Sequence, residues 1–448
     1  MRLRLAEVQE VCGGRLIACS PASLATSYHT DSRQVQAGGL FFALRGAELD
    51  GHAFVADAAA REPAAVVVEH ELAADVPQLV VPDTWRALYD LAAGVLRRVS
   101  PLVVGVTGSN GKTSTRELTA AVLGSRHRVH RTPANLNTET GLPLTILELE
   151  PEHTAAVLEM GMRGPGEIAQ LAALARPTIG IVTSIGTVHV EFFADGQEGI
   201  ARAKGELLAA LPPGGQAVVN ADEPRFLDLL RGLSQAPSTT FGLDAGDLRG
   251  TNYRPLAEGG GTFEVDGVEV RLALGGRHQA RNALAALAAG RFAGVPLADG
   301  ARALAGVQTA HRLEPHTTPG GWTVIDDAYN ASPESMAAAF ETASQMSRTG
   351  RLLALLGEMR ELGQLAEAAH RRTGAYARDV FDRVAVVDVG WGPTLAEAAG
   401  GELVRDLAEG AEWVRREARP GDVVLVKASH GVALDRVVDE LLGAERAR

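Results

Sequence analysis

The sequence predicts an α/β protein of three domains, and three observations predict it. Short β-branched runs recur along the chain with helical patterns between them, the alternation of a mostly parallel sheet covered by helices on both faces. One such run, near residue 103, passes straight into a glycine turn and then a helix. At 448 residues the chain exceeds one ordinary core and suits about three domains of ~150 residues.

The first domain carries a helical stretch over residues 53–61, then short apolar runs at 64–68 and 78–81 bounded by Pro and acidic residues. Residues 84–98 have the periodicity of an amphipathic helix, which Ser100 and Pro101 end before LVVGVT starts a new strand. The first boundary is therefore set near residue 84, giving a small α/β domain over 1–84. Strands are expected at 103–106, 154–158, 179–182 and 217–219 with helices between, the pattern of a central parallel sheet. Gly-rich, polar sequence over 242–261 predicts turns or hairpins inserted before a helix that starts at Asn282. This central domain is assigned 85–311. From Arg312 a third α/β domain runs over 312–448, with strands at 324–326, 352–356, 384–387 and 423–426.

Composition narrows the function. A formal charge of −12 argues against a sequence-independent nucleic-acid binder, which needs a basic field, but leaves room for a local pocket around one small anion. Cys12 and Cys19 in CGGRLIAC have neither the CxxC spacing of a zinc knuckle nor a second pair, so reduced thiols are expected. The first residues lack the apolar stretch of a secretion signal, and no window nears ~18 uninterrupted apolar residues. A cytoplasmic protein with no membrane insertion is expected.

The strand at 103–106 leads into TGSNGKTST at 107–115 and a helical stretch at 117–123. A strand, a glycine turn and a helix N-terminus ending in Lys-Thr make an anion cradle, because unpaired backbone N–H groups and the helix dipole both face the incoming charge. Gly108, Ser109, Asn110, Gly111, Lys112, Thr113 and Ser114 are thus the candidate phosphate-binding residues. Lys112 would contact the β and γ phosphates of a nucleotide, and the Thr113 hydroxyl would hold Mg²⁺. The strict G-x-x-x-x-G-K-S/T pattern would put its first glycine at Val106, so the loop is a variant; the plain alternative is a tight turn with one exposed Lys.

Three further residues could serve a metal. Glu159 ends the strand TAAVLEM, and the carboxyl ends of parallel strands are where ligands gather. A carboxylate there can coordinate Mg²⁺ or can simply be solvated. His189 follows GIVTSIG in a loop at the same end of the sheet; a lone His is more often a satisfied loop residue, but this position favours a ligand. In QEGIARAKGELLAALP, Lys204 falls on the face of Ile200, Leu207, Leu208 and Leu211. Its stem can snorkel out of an interface, or its amine can take up CO₂ and offer a carbamate oxygen to a second Mg²⁺.

In this order, TGSNGKTST, NLNTETGLPLT, VLEMGMRGPGEI, TSIGTVHVEFF and ARAKGE resemble the central domain of the Mur ligases, the ATP-dependent amide ligases of bacterial cell-wall synthesis. The resemblance covers nearly the whole chain. It implies a UDP-substrate-binding first domain, an ATP-binding P-loop domain and a Rossmann-like third domain that binds the incoming amine. TDSRQVQAGGLFFALRGAELDGHAF resembles the family's UDP-binding segment, which implies Ser32, Arg33 and His52 near the uridine diphosphate. Asn135, Asn137 and Thr138 would orient that substrate near the γ-phosphate. GRHQARNALAALAAG resembles the family's GRHNxxNAL segment, with Asn282 at the adenine and Gln279 replacing the first Asn. AHRLE supplies Arg312, which the family brings to the ATP phosphates when the third domain closes. Asp327, Tyr329 and Asn330 of VIDDAYNASPESMAAAF would line the nucleotide.

That last segment and LLGEMRELGQLAEAAH are closest to the D-alanyl-D-alanine-adding members, and the DNPR-type motif of the diamino-acid-adding members is missing. LVKASHGVALDRVV departs from the family's LVKGSR, with Ala428 and His430 for Gly and Arg. The implied chemistry passes the γ-phosphate of ATP to the terminal carboxylate of a UDP-N-acetylmuramoyl tripeptide, after which the amine of D-Ala-D-Ala attacks the acyl phosphate. Lys112, Lys204, His189 and Arg312 become the catalytic candidates, with two Mg²⁺ ions on Thr113, Glu159, His189 and a carbamylated Lys204, acting on charge that builds on the phosphoryl group. A monomer that binds only small molecules is expected. The alternatives are a diamino-acid-adding or folyl-polyglutamate ligase and, in another class, a P-loop ATPase switch, which would leave the first domain idle. Gly390 and Gly392 lack the third glycine of a dinucleotide fingerprint, so an oxidoreductase fits poorly.

Overall fold

The computed structural model describes residues 1–256, 260–308 and 311–443, which form an α/β fold. The chain divides into two compact units, one holding residues 1–105, 126–162 and 166–179, the other 106–125, 163–165 and the chain from 180 onward. No helix among the described residues is long and apolar enough to cross a membrane.

In the first unit a five-stranded sheet runs Arg15–Ile17, Gln78–Val80, Ala65–Val68, Leu40–Phe42, Tyr28–His29. Ala65–Val68 is buried at every position, the unbroken apolar run that a strand covered on both faces requires. The helix Thr84–Val99 starts on an Asp83 side chain that accepts from Arg86 N, and it stops where Ser100 turns left-handed. Its stripe of Leu88, Leu91 and Val95 is buried, each side chain worth about 1.5–3 kcal/mol. Cys12 and Cys19 are free thiols.

The largest sheet holds β1 (Leu102–Thr107), which runs into α1 (Lys112–Gly124), then β2 (Val129–Arg131), β3 (Ala155–Glu159) and β4 (Ile179–Val182). After α2 (Gln197–Ala209) come β5 (Gln216–Asn220), β6 (Ser238–Gly242) and β7 (Leu248–Arg249). The order is β7-β6-β5-β4-β1-β3-β2, with parallel pairing at β2/β3, β5/β6 and β6/β7. Chain order reverses at β1, and such a switch point opens a crevice at the carboxyl ends of the strands. The loop after β1 stands there.

Residues 251–272 supply a three-stranded antiparallel sheet, Thr251–Pro255, Gly261–Val265 and Val268–Leu272. The next helix, α3 (Arg277–Phe292), begins at Arg277, more than a turn before the expected start at Asn282. Gly276, at φ 100, swings the chain into the helix, and the polar residues 277–279 carry no apolar period to announce it. Asn282 therefore sits inside the helix.

The C-terminal sheet comprises β8 (Glu314–Thr317), β9 (Thr323–Asp326), β10 (Leu352–Leu356), β11 (Arg383–Val387), β12 (Glu402–Val404) and β13 (Val423–Lys427), with α4 (Pro333–Gln345) between β9 and β10. Its order is β8-β9-β13-β10-β11-β12, antiparallel at β8/β9 and parallel elsewhere. The period of two along β9 builds both cores. Ile325 joins Phe340 and Leu425 on one face, and Val324 joins Trp413 and Val424 on the other.

Candidate active site

The loop between β1 and α1 is shaped by two glycines. Gly108 has φ 151, and a Cβ on it would stand 1.8 Å from Thr183 Oγ1; Gly111 has φ 83, and its Cβ would meet Asn282 Oδ1 at 2.5 Å. Both close approaches need a residue without a side chain. The end of β4 pins the loop: Ser109 N donates to Ser184 O at 2.8 Å, Asn110 N to Ser184 Oγ at 3.0 Å, and Thr183 Oγ1 to Asn110 O at 2.6 Å. Helix α1 starts at Lys112 with no acidic residue in its first turn, so its positive end is uncompensated. Lys112 Nζ donates to Gly108 O at 2.9 Å and Ser109 O at 3.3 Å, which holds the ammonium at the mouth of the loop. Ser109 Oγ is buried with no hydrogen-bond partner among the described residues. Buried hydroxyls are normally paired, so this one suits a phosphate oxygen.

Lys204 lies on the inner face of α2 at 2% exposure, which rules out the snorkelling alternative. Burial, with the Lys112 cation adding, pushes its amine well below the usual lysine range. A neutral buried amine is the species that reacts with CO₂. His189, left-handed at φ 69, places Nδ1 2.6 Å from Glu361 Oε2.

The C-terminal sheet brings its own residues to the loop. Ser332 Oγ lies 3.2 Å from Asn110 Oδ1, and Glu334 Oε1, in the first turn of α4, accepts from Thr187 N and Thr187 Oγ1, both at 3.0 Å. Lys427 ends β13 with Nζ 2.7 Å from Asp327 Oδ2 and donates to Asn330 O at 2.8 Å. Burial pushes the Asp327 carboxyl up and the Lys427 amine down, while their mutual attraction opposes both. The Arg312 guanidinium stacks over Tyr329, 4.1 Å from its centroid, and His430 lies beyond Tyr329 at 5.9 Å between ring centroids. His430, standing for an Arg, thus meets an aromatic face.

Of these groups Asn110, Gly111, Arg312, Asp327, Glu334 and Lys427 line one cleft, together with Asn220, Glu223, His278, Arg281 and Asn282, whereas Lys112, Lys204, His189, Tyr329, Asn330 and His430 are not among its lining residues. Asn282 Nδ2 donates to Gln279 Oε1 at 3.0 Å, and Gln279 Nε2 reaches Ser114 Oγ at 3.4 Å. The Gln therefore ties α3 to α1. Burial and the cations Lys427, Arg281 and Arg312 hold the His278 ring down at about 3, so it stays neutral. Glu223, Glu334, His278 and Lys427 were not singled out by sequence reasoning. His278, Lys427 and Glu334 lie within the segments that carry the family resemblance, whereas Glu223, in a short polar loop after β5, gave only the strand-end signal that also marked Glu159.

Within the first unit, Glu159 is buried at the end of β3; its N–H donates to Thr132 Oγ1 at 2.9 Å and its Oε1 accepts from Asn137 Nδ2 at 2.8 Å. Asn135 and Thr138 are exposed in the same segment. Ser32 is buried, while Arg33 is exposed and paired to Asp31 at 2.8 Å. His52 has both ring nitrogens engaged, Nδ1 2.6 Å from Asp50 Oδ1 and Nε2 accepting from Glu69 N at 2.9 Å. In this conformation it clasps its own loop.

Comparison with known proteins matches three successive segments of the chain. Residues 25–95 match the Mur ligase family catalytic domain, 106–290 the Mur ligase middle domain and 311–430 the Mur ligase glutamate ligase domain. The chain is 36% identical over 428 residues to the UDP-N-acetylmuramoyl-tripeptide--D-alanyl-D-alanine ligase of Bacillus subtilis, covering 92% of each. Among solved structures, MurF from Acinetobacter baumannii matches with a TM-score of 0.89 at 28% identity over 99% of both chains. MurF ligase from Thermotoga maritima in complex with ADP matches with a TM-score of 0.82 at 30% identity, over 93% of this chain and 97% of that one. The α/β fold expected from the sequence is the observed one, the three matched segments are those of the Mur ligase architecture, and the cleft is of a nucleotide-binding type.

Proposed function

Because the chain belongs to the Mur ligase family, we propose that it joins D-Ala-D-Ala to a UDP-N-acetylmuramoyl tripeptide at the expense of ATP, in the cytoplasmic stage of peptidoglycan synthesis. The observation that carries this reading is the single cleft in which the phosphate loop meets Arg312, Asp327 and Lys427 from the C-terminal sheet. A switch ATPase has no need of the first sheet, and the relatives named above add D-Ala-D-Ala. We assign 1–84 to the UDP substrate, 85–311 to ATP and 312–448 to the incoming amine, and take the protein to act as a monomer.

In the proposed reaction the terminal carboxylate of the tripeptide attacks the γ-phosphate, ADP leaves, and the dipeptide amine displaces phosphate from the acyl phosphate. Gly108, Ser109, Asn110, Gly111, Thr113 and Ser114 hold the phosphates through the loop and the start of α1, while Lys112 and Arg312 offset charge on the transferred group. Asn282, Asp327, Tyr329 and Asn330 line the nucleoside. Ser32, Arg33 and His52 hold the uridine diphosphate, and Asn135, Asn137 and Thr138 orient the peptide end. The donor set suits magnesium: Thr113, Glu159, His189 and a carbamylated Lys204 would hold two ions, which supply electrostatic stabilisation of the phosphates when bound. The burial of Lys204, which holds its amine well below the usual lysine range, supports the carbamate.

Phosphate release measured with UDP-muramoyl peptides crossed against D-Ala-D-Ala, a diamino acid and glutamate tests the proposal. Turnover is expected with tripeptide plus D-Ala-D-Ala. Turnover with a diamino acid on the dipeptide, and none with D-Ala-D-Ala, would overturn it.

A further inference from the structure

Beyond the phosphate loop the cleft continues along the carboxyl ends of β4 and β5, where Ile185, Asn220, Glu223 and Arg281 line it. With phosphates at the loop end, as the ligase reading has them, a nucleoside would extend toward this wall. Glu223 stands just before the helix Pro224–Leu233 without a side-chain bond to it, and its carboxyl is oriented instead by Oε2 accepting from Ile185 N at 2.7 Å. The carboxyl is part of the cleft lining.

We propose that Glu223 reads the edge of the purine base, pairing as a neutral carboxylic acid with the donor and acceptor that adenine presents side by side. The inference rests on the ATP-dependent reading above. A carboxylic acid offers one O–H donor and one C=O acceptor, which matches the amino group of adenine and its neighbouring ring nitrogen. A carboxylate offers acceptors alone, which suits the N–H and amino donors of guanine instead. The protonation state of Glu223 therefore chooses between ATP and GTP.

Its surroundings favour the acid. Burial raises Glu223 to about 7, and the carboxylates of Glu334, on α4, and Asp222, beside it, push the same way. Ile185 N–H and the Arg281 guanidinium, on α3, oppose them. Arg281 is spent on Asp222, with Nε 2.7 Å from Oδ2, which weakens its hold on Glu223. His278, which lines the same cleft, is neutral at these pH values.

Binding of ATP and GTP to the full-length protein, followed by calorimetry from about pH 6 to about pH 8.5, tests this for wild type, Glu223→Gln and Glu223→Ala. The ratio of the two affinities cancels the titration that their phosphates share. In wild type the ATP preference should fall about tenfold across the range, the size of one lost bidentate base contact. Glu223→Gln keeps a donor and an acceptor at every pH and should hold a flat, high ratio; Glu223→Ala should have a low, flat one. A wild-type ratio that ignores pH, or a Glu223→Ala ratio equal to wild type at about pH 6, would overturn the assignment while leaving the ligase reading intact. Binding of neither nucleotide by wild type would overturn both.

Discussion

Glu361 Oε2 lies 2.6 Å from Nδ1 of His189, and both residues hold left-handed backbone, at φ 63 and φ 69. Neither is glycine, so each conformation costs about 1–2 kcal/mol that the surrounding structure offsets. The His189 ring holds the Glu361 carboxyl below its usual range, with desolvation opposing and the Arg163 and Lys112 cations assisting. A carboxylate on one ring nitrogen is what orients a metal-binding histidine by its other nitrogen. Here it comes from the segment after β10, outside the sheet that carries His189.

Glu361→Gln should therefore raise the magnesium concentration for half-maximal activity by about 10 to 100-fold, with a smaller change in the ATP KM at saturating magnesium. A Mn²⁺ titration followed by electron paramagnetic resonance checks the affinity without turnover. An unchanged titration would remove Glu361 from this role.

Lys112→Ala should lower ATP-dependent phosphate release by about 10² to 10³-fold, the effect of removing one preorganised charge from a transferring group. The melting temperature should fall far less than activity, because Nζ donates to the Gly108 and Ser109 carbonyls of its own loop. A fold lost along with activity would point to packing instead.

Lys204→Ala should lose most activity, and a short carboxylate such as acetate should restore part of it by standing in for the carbamate. Wild type prepared and assayed in CO₂-depleted buffer should lose activity that bicarbonate returns. Indifference of wild type to CO₂, with no rescue of the variant, would leave Lys204 a bare amine.

The His278 ring gives a pH signature. Its folded value near 3 lies below the unfolded 6.5, so the unfolded chain takes up the proton first and stability falls as pH drops through that window. By about pH 4.5 the loss should be about 1 to 2 kcal/mol, less than full burial would give because the ring opens partly on the cleft. Urea melts of wild type and His278→Asn should converge as pH falls from about 7 to about 4.5. Parallel curves would count against a neutral His278.

Much of this was legible in the chain. The runs at 64–68, 179–182 and 352–356 became strands because buried parallel strands must be apolar on both faces, a pattern that survives without context. The shape of the loop after β1 was legible because Gly108 and Gly111 are demanded by backbone geometry, and such demands are local. Less legible were the residues that act through folding at long range. Glu223 meets Ile185 only because β5 lies beside β4, and Glu361 meets His189 across 172 positions of sequence. The start of α3 was misjudged for a similar reason, since its first turn is polar and faces the cleft.

The pair Asp327 and Lys427 joins the start of the C-terminal sheet to its last strand, 2.7 Å apart and nearly inaccessible to solvent. Two buried charges contribute little net stability together, because desolvation consumes most of their attraction, but either alone is an uncompensated charge. Asp327→Asn should therefore destabilise the C-terminal region by about 3–5 kcal/mol, whereas the double variant Asp327→Asn, Lys427→Met should recover most of that loss. The amide can still accept from Lys427, so the difference between the variants isolates the charge. Lys427 and Asp327 also line the nucleotide cleft, so the ATP KM should rise in both variants even where stability returns. Chemical denaturation followed by tryptophan fluorescence reads the stability, since Trp413 lies in the core beneath β13. An Asp327→Asn protein as stable as wild type would mean that Lys427 sheds its proton on losing its partner, and the pair would then be a hydrogen bond between neutral groups.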